Sequence, residues 1–354
     1  MKSTNSLIPA AVVLNWNQSK MTLDCVATLR KQNRQVDILI VVDNGSRSEE
    51  RRILDGLDKD VRFVQLAANC GFAGGMNRGI EEALELNADY IWLMNNDAFP
   101  DPNCLSRLID ALAEDSTLAA VTPRLVGKDG FEQHAGGRYN FDTAENELFS
   151  SSDLLDAVGN GGYWLTGTAP LFRADVLRQL RGFDERFFAY WEDIDLFFRV
   201  AAAGYQFRAV PEVHVDHLGS ASSGGEGGPF VFYMLTRNHV MLLEKHVKGG
   251  LKLAMRLYIV REILNDAGRY TIHKRLDRAT ALVQSLVAIM LREHGVPKYY
   301  SRFKTIAAFI AKHPWWIIRG IDLFRSILDR KTIRSNVSPE LVQGAKVASF
   351  GVIK

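Results

Sequence analysis

The chain has 354 residues, of which 47% are hydrophobic and 24% are charged, a composition typical of globular proteins that argues against a disordered chain. Its three cysteines, Cys25, Cys70 and Cys104, form neither a C-x-x-C pair nor an even set, which argues against a disulfide-stabilised secreted fold and favours a reducing compartment. The sequence shows no signal peptide and no run of about 18 apolar residues, so we predict no membrane-spanning helix.

The net charge of +2 conceals opposite charges in the two halves of the sequence. Residues 230–354 contain 22 Lys and Arg against 8 Asp and Glu, whereas the remaining residues contain 21 against 33. A basic region of this kind predicts contact with a polyanionic surface. A solvated basic helical face is the alternative.

Four apolar segments near the start of the chain are predicted strands, and amphipathic helices separate them. The strands cover residues 10–17, 37–46, 61–67 and 88–97, and the helices cover residues 21–32, 48–58 and 74–86. Short apolar runs between helices indicate parallel strands that are covered on both faces. The pattern therefore predicts an α/β fold with a doubly wound sheet, in which ligands bind beyond the carboxyl ends of the strands.

Polar residues follow each of these strands, where such a ligand would lie. They are Asn15 and Asn17, Asp43 and Asn44, Asn69, and Asn95, Asn96 and Asp97. Asp43 is suited to accept hydrogen bonds from a nucleobase or a ribose. The D-N-G sequence at this position is equally good turn chemistry, so a purely structural turn is the alternative.

A glycine-rich stretch opens the third helix and contains Asn69, Gly71, Phe72 and Asn77. Glycine lets the backbone approach a ligand closely, and a helix N-terminus favours phosphate. The stretch matches neither the dinucleotide-binding pattern nor the P-loop pattern. A ligand-binding loop and a tight structural loop therefore both stay open.

Asn95, Asn96 and Asp97 place a carboxylate at the end of the fourth strand. Mg²⁺ and Mn²⁺ typically take one or two protein carboxylates, while substrate phosphates and water supply the other ligands. His217 is a candidate to complete such a site, and His214 competes with it. A turn at Asp97 and a structural histidine are the alternatives.

The most informative stretch is FFAYWEDIDLFFRV (187–200), where three acids lie among aromatic and aliphatic residues. If it is helical, Glu192 and Asp195 share one face and Arg199 can pair with Asp195, which leaves Asp193 without an obvious partner. A carboxylate in apolar surroundings beside another acid has a raised pKa, as suits a general base. The alternative is an acidic helix start with one salt bridge.

The later part of the chain changes character twice. Residues 121–163 are glycine-rich and irregular, and residues 220–229 form a predicted flexible linker. Beyond the linker the sequence predicts helices to about residue 331. We therefore predict an α/β domain over residues 1–225 and a basic, mainly helical region over residues 226–354.

Taken together, these motifs resemble the family 2 inverting glycosyltransferases with the GT-A fold, and most closely the bacterial rhamnosyltransferase-like members. The resemblance spans roughly residues 10–222 and depends on the order and spacing of VVLNWN, VVDNGS, N-x-GFAGGMNRG, LMNND, GTAPLFR, EDIDLFFR and the segment around His217. It implies a Rossmann-like mixed sheet with a helical C-terminal extension. It also implies that the first domain transfers a sugar, with rhamnose the leading candidate, from a nucleotide-sugar to a glycan or lipid-linked glycan in cell-surface polysaccharide synthesis.

The resemblance implies roles for individual residues. Asp193, with Glu192 beside it, would be catalytic, and Asp97 and His217 would bind Mg²⁺ or Mn²⁺, although Asn95 replaces the first acid of the family's D-x-D motif. Donor-binding residues would be Asn15, Asn17, Asp43, Asn44, Asn69, Gly71, Phe72, Asn77, Asn95 and Asn96. Acceptor-binding residues would be Trp164, Gly167 and Trp191.

The segment IAAFIAKHPWWIIRGIDLFRSILDRK (306–331) mixes bulky apolar residues with cations. Its apolar residues include Trp315, Trp316, Ile317, Ile318, Leu323 and Phe324, and its cations include Lys312, Arg319, Arg325, Arg330 and Lys331. This pattern is typical of a helix on anionic lipid and predicts peripheral attachment to the cytoplasmic face of the cell membrane. A helical hairpin or a homo-oligomer interface would show the same periodicity.

Two other functions stay open. A sugar-nucleotidyl transferase would need a basic glycine-rich loop after the first strand, where the sequence offers only Lys20. A non-catalytic, membrane-tethered binding module would function unchanged after substitution of Asp193 or Asp97. No nucleic-acid partner is predicted.

Overall fold

The chain divides into two compact units, one formed by Met1–Tyr139 and Asn146–Ser222 and the other by Asn140–Glu145 and Ser223–Lys354. The computed structural model describes residues 7–141, 145–219, 228–247, 253–298, 300, 304–312, 315, 318 and 319. The predicted boundary at residue 225 lies outside these residues, and the division into a catalytic domain and a basic region stays a prediction.

Eleven strands are present in the described residues. They are β1 (Pro9–Asn15), β2 (Ile38–Asp43), β3 (Val61–Gln65), β4 (Tyr90–Asn95), β5 (Ala98–Pro100), β6 (Leu118–Val126), β7 (Gly136–Asn140), β8 (Glu145–Phe149), β9 (Tyr163–Leu165), β10 (Leu171–Arg173) and β11 (Gln206–His217). Eight of them form one sheet in the order β3-β2-β1-β4-β10-β6-β11-β5, and β8-β7-β9 form a second, smaller sheet.

Ten α-helices accompany the strands within the same residues. Six precede or follow strands of the first unit: α1 (Ser19–Leu29), α2 (Ser48–Leu54), α3 (Gly71–Glu85), α4 (Cys104–Glu114), α5 (Ala174–Leu180) and α6 (Glu192–Ala202). Four form the described part of the second unit: α7 (Pro229–His246), α8 (Leu253–Ile272), α9 (Leu276–Met290) and α10 (Lys304–Lys312). None of these helices combines the length and the apolar character that crossing a bilayer requires.

The large sheet is mixed because two short strands pair antiparallel with their neighbours, β10 inside the sheet and β5 at its edge. Strands β1 to β4 are parallel to one another, whereas β10 runs antiparallel to both β4 and β6. Side chains of β1 and β4 are buried almost throughout, which explains their unbroken apolar sequences. Parallel register aligns Asn15 with Asp43 and Leu14 with Asn95, so the polar residues predicted at the strand ends lie along one edge of the sheet.

The helical unit contains a buried ion pair. Arg237 on α7 is 2% exposed and its Nη1 lies 3.0 Å from Glu293 Oε1, while the Tyr233 hydroxyl donates a hydrogen bond to the same carboxylate. Removal of one partner of such a pair leaves a buried charge without its counter-charge, so the pair joins α7 firmly to the segment after α9.

The predicted lipid-binding segment is only partly described. Trp315 is 49% exposed, whereas Trp316 and residues 320–331 lie outside the described residues. Membrane contact therefore stays a prediction.

Candidate functional site

A buried hydrogen-bond network supports the polar edge of the sheet. The Asn15 amide donates to Asp43 Oδ1 at 2.9 Å and to Ser46 Oγ at 3.1 Å, and its oxygen accepts from the Thr22 hydroxyl at 2.8 Å. The Asn17 N–H donates to Ser46 Oγ at 2.8 Å. Asn15 is fully buried, and its side chain orients Asp43 and Ser46. A role of Asn15 in donor binding stays a prediction.

Asn96 joins this network, and Asn95 extends the sheet. The buried Asn96 amide donates to the Thr22 hydroxyl at 3.1 Å, and the Asn95 N–H donates to the Thr168 carbonyl at 2.9 Å. The second bond ties the end of β4 to the loop before β10. Among these three residues, Asp97 is the one whose side chain contacts the end of β11.

The glycine-rich loop is held by its own side chains and by the segment before α6. The Asn44 amide donates to the Gly71 carbonyl at 2.9 Å and to Asn69 Oδ1 at 3.2 Å, and Asn69 Oδ1 accepts from the Gly71 N–H at 2.7 Å. The Ala73 N–H donates to the Phe188 carbonyl at 3.1 Å. Protein oxygens therefore already occupy N–H groups at the start of α3 where the sequence suggested a phosphate.

Gly71 is required by this packing. Its φ is +79°, and a Cβ at this position would lie 2.3 Å from the Phe188 carbonyl oxygen. Further along α3, the Asn77 amide donates to the Phe183 carbonyl at 2.9 Å and to Glu185 Oε1 at 3.1 Å. The Phe72 ring packs edge-on against Phe183. Gly71, Phe72 and Asn77 thus contact the segment that leads into α6. Direct contact of these three residues with a donor stays a prediction.

The backbone before α6 is strained. Phe188, Tyr190 and Trp191 have φ values of +66°, +70° and +71°, a region that non-glycine residues rarely adopt. The Ala189 N–H bonds to the Phe187 carbonyl at 2.8 Å, which closes a γ-turn of the unfavourable hand at Phe188. Strain of this kind persists only where the surrounding structure holds it, and it clusters at functional sites. Here it sets the position at which α6 begins.

Asp193 and Asp195 have separate roles on α6, as the spacing predicted. Asp195 pairs with Arg199 at 2.9 Å, whereas Asp193 has no ion-pair partner among the described residues. Instead, Asp193 Oδ2 accepts from the Gly167 N–H at 3.1 Å and Oδ1 accepts from the Ile194 N–H at 2.8 Å. Burial raises the pKa of Asp193, and the two N–H donors partly offset that increase. The result is a partly buried carboxylate with a raised pKa and, in the part of the chain that the structure describes, no cation to hold it ionised.

Glu192 is more deeply buried than its neighbour. Its side chain is 7% exposed, and Oε2 has no hydrogen-bond partner among the described residues. Burial first, and then the charge of Asp193, raise the pKa of Glu192 well above its ordinary value. The protonated form is therefore favoured, and Asp193 is the better candidate for a charged catalytic group.

We expect Glu192→Gln to increase the free energy of unfolding at neutral pH. When folding raises the pKa of a carboxyl group, the free energy of unfolding falls as the pH rises from the pKa of the unfolded state, about 4.3, through the pKa of the folded state. Each unit by which the pKa is raised lowers the free energy of unfolding by about 1.4 kcal/mol. Glutamine keeps the shape and removes this loss. Urea unfolding at pH 4 and pH 8 should show the gain only at pH 8. The exposed first-turn acid Glu49 provides the control Glu49→Gln, and an equal gain in both variants would contradict the assignment.

Asp97 and His217 meet at the end of the sheet. β5 pairs antiparallel with β11, and the Leu218 N–H donates to the Asp97 carbonyl at 3.0 Å. This pairing brings His217 Nε2 to 3.4 Å from Asp97 Oδ1. The competing His214 instead lies 3.8 Å from Asp216. Two ligands about 2.1 Å from one ion at right angles lie about 3 Å apart, so the separation of Asp97 and His217 is compatible with an octahedral cation such as Mg²⁺ or Mn²⁺.

The described residues contain no group of three or more His, Cys, Asp and Glu side chains suited to a metal ion. A cation held by Asp97 and His217 would thus take its other ligands from substrate and water, as Mg²⁺ commonly does. Sequence patterns gave no indication of Gln133, whose side chain contacts His217 from 84 residues away. No local motif marks it, because the contact depends on the fold.

The predicted acceptor residues differ in exposure. Trp164 is 4% exposed and its Nε1–H donates to Asn146 Oδ1 at 2.9 Å, which leaves little ring surface for stacking on a sugar. Trp191 is partly exposed and packs edge-on against Tyr139. Gly167 lies close to Asp193, and a side chain at position 167 would bring its Cβ to 3.3 Å from the Asp193 Cβ. Contact of these residues with an acceptor stays a prediction.

Known proteins resemble this chain over part of its length. The model of the glycosyl transferase family 2 matches residues 10–181. Galactofuranosyltransferase GlfT1 of Mycolicibacterium smegmatis is 30% identical over 210 residues, which cover 58% of this chain and 68% of that protein. N-acetylglucosaminyl-diphospho-decaprenol L-rhamnosyltransferase of Mycobacterium tuberculosis is 25% identical over 240 residues, or 60% of this chain and 76% of that protein. The crystal structure of GalNAc-T7 with UDP, GalNAc and Mn²⁺ shares the fold, with a TM-score of 0.54, 12% identity, and coverage of 87% of this chain and 58% of that one.

Proposed function

The chain belongs to glycosyltransferase family 2, and from this premise we propose that it transfers a sugar from a nucleoside diphosphate donor to a hydroxyl group of a glycan or lipid-linked glycan. The predicted GT-A fold with a helical C-terminal region is confirmed. Rhamnose and galactofuranose are the first candidate sugars, because similar proteins are named for their transfer. The place of action would be cell-surface polysaccharide synthesis.

The observation that carries this proposal is the environment of Asp193. Its carboxylate is oriented by the Gly167 N–H, partly buried and unpaired with any cation in the described residues, so its raised pKa suits a general base. An acceptor hydroxyl placed beside it would lose its proton to Asp193 as the hydroxyl oxygen attacks C1 of the donor sugar. The hydroxyl oxygen would approach C1 from the face opposite the diphosphate. The bond from C1 to the diphosphate would break with its electron pair on the leaving group, so the configuration at C1 would be inverted.

Asp97 and His217 would hold a divalent cation beside the leaving diphosphate. The cation, when bound, supplies Lewis-acid neutralisation of the charge that develops there. The structure of GalNAc-T7 contains Mn²⁺ with UDP, which supports the same cofactor class for this chain. Asp43, oriented by Asn15, is suited to accept hydrogen bonds from the nucleoside, as expected from its strand end.

The rival enzyme function has less support. A sugar-nucleotidyl transferase must hold a triphosphate near the first strand. Here the Asn17 and Ser19 N–H groups after β1 donate to Ser46 Oγ and Glu50 Oε2, so they are engaged within the protein. Lys20 is the nearest cation in the sequence of this loop. The non-catalytic alternative predicts that wild-type protein shows no sugar transfer with any donor and that substitution of Asp193 leaves its function unchanged.

A panel of nucleotide-sugars tests the donor assignment. We expect dTDP-rhamnose, UDP-galactofuranose or another member of the panel, with Mg²⁺ or Mn²⁺, to raise the melting temperature and to be hydrolysed slowly to the nucleoside diphosphate. A ligand at 100 times its Kd stabilises the fold by about 2.7 kcal/mol. The free sugars with the same metals serve as controls. If no nucleotide-sugar raises the melting temperature above these controls, the proposed donor class is wrong.

A further inference from the structure

The Gln133 side chain contacts His217 through two hydrogen bonds. The chain turns back after β6, and the Gln133 N–H donates to the Leu125 carbonyl at 2.9 Å. Leu125 lies opposite Val215 on β11, so this turn brings Gln133 next to the end of that strand. Gln133 Oε1 lies 2.7 Å from His217 Nδ1, and Gln133 Nε2 donates to the His217 carbonyl at 3.3 Å.

These two bonds together determine which ring nitrogen carries the hydrogen. A carbonyl oxygen only accepts, so the NH₂ end of the Gln133 amide must face the His217 backbone. The amide oxygen then faces Nδ1 and also only accepts, so Nδ1 must be the protonated nitrogen of His217. In a neutral imidazole this leaves Nε2 with a free lone pair. That lone pair is the one directed at Asp97 Oδ1, 3.4 Å away.

The other tautomer of His217 would make Nε2 unavailable to a cation. A hydrogen on His217 Nε2 would point toward the Asp97 carboxylate, and the two predicted ligands would bond to each other instead of to a cation. We propose that Gln133 is a positioning residue that holds His217 in the Nδ1–H tautomer and so keeps Nε2 available for a divalent cation shared with Asp97. This inference rests on the proposed function, since the cation site belongs to it. Partners of this kind commonly change metal affinity 10- to 100-fold.

The first experiment uses the metal-free wild-type protein and no donor. With ¹⁵N-labelled imidazoles at a pH where His217 is neutral, long-range ¹H–¹⁵N spectra report which ring nitrogen is protonated. The resonance is assigned by its loss in His217→Asn. We expect the Nδ1–H form in the wild type and a shift toward the Nε2–H form in Gln133→Leu. An Nε2–H form in the wild type would overturn the proposal, whether or not the protein transfers sugars.

The second experiment titrates the same samples with Mn²⁺ alone and follows paramagnetic broadening of the His217 resonance. We expect affinity to fall 10- to 100-fold in Gln133→Leu. Gln206→Leu, the same change at the exposed start of β11, should bind as the wild type does. Gln133→Glu keeps an acceptor for Nδ1–H and should retain the tautomer. Wild-type protein that shows no broadening, or Gln133→Leu with unchanged affinity, would overturn the proposal.

Discussion

Replacement of Asp193 by asparagine should lower kcat by about 10²- to 10⁴-fold, the usual contribution of a general base. Asparagine has nearly the same shape, and its one acceptor oxygen can still accept the Gly167 N–H, whereas the hydrogen bond from the Ile194 N–H is lost. It cannot take a proton from the acceptor hydroxyl. We therefore expect the loss in kcat, while donor binding and the melting temperature change little. Initial rates with the donor identified from the panel measure the effect.

Asp175 offers a matched control for this substitution. It is the first-turn acid of α5, and its Oδ1 accepts from the Val176 N–H at 2.8 Å, as Asp193 Oδ1 accepts from Ile194 at 2.8 Å. Asp175→Asn changes the same kind of helix start and should leave kcat unchanged. If Asp193→Asn transfers sugar as fast as Asp175→Asn, Asp193 is not the base, and another group must deprotonate the acceptor hydroxyl.

The dependence of the transfer rate on pH is a second test of Asp193 as the base. A base works only when deprotonated, so the wild-type rate should fall as pH drops through the raised pKa of Asp193. Because burial raises that pKa, the fall should begin at a higher pH than an exposed aspartate would give. The residual rate of Asp193→Asn should lack this step. A wild-type rate that stays constant down to the ordinary aspartate range would contradict the assignment.

Local pattern was enough to predict the elements of the first half of the sheet. The strands predicted over residues 10–17 and 88–97 are β1 and β4, whose buried apolar runs are visible in the sequence itself. The predicted helix start at residue 74 was wrong by three residues, since α3 begins at Gly71. The Asn69 side chain and the Phe188 carbonyl, which accept N–H groups there, are not visible in a hydrophobic pattern. The antiparallel insertion of β10 between β4 and β6 is a long-range pairing that no local pattern specifies.

The same distinction applies to the site. The pairing of Asp195 with Arg199 was predictable because residues four apart share a helix face, and it is confirmed. The contact of Asp193 with Gly167 joins residues 26 positions apart, and the contact of Gln133 with His217 joins residues 84 apart. Such contacts depend on the whole topology. Their absence from the sequence pattern is why the sequence predicts candidates for a base and for cation ligands but not the groups that orient them.

Replacement of Asp97 by asparagine should lower kcat by about 10²- to 10³-fold, a typical loss when a group that stabilises leaving-group charge is removed. Asp97 Oδ1 faces His217 Nε2 at 3.4 Å, so the substitution removes the charged member of the predicted cation pair. The amide is a weaker ligand for Mg²⁺ or Mn²⁺ and carries no charge. Metal titrations of the initial rate should therefore show a higher half-saturating concentration as well as a lower maximum.

A second Asp–His pair on β11 provides the control for Asp97. Asp216 Oδ1 lies 3.8 Å from His214 Nε2, and both side chains are more exposed than those of the Asp97–His217 pair. Asp216→Asn removes the same charge from the same strand region and should leave the metal response and kcat unchanged. An equal loss in the two variants would point to a general effect of surface charge. A metal response unchanged in Asp97→Asn would show that the cation binds elsewhere, and the leaving diphosphate would then need another source of positive charge.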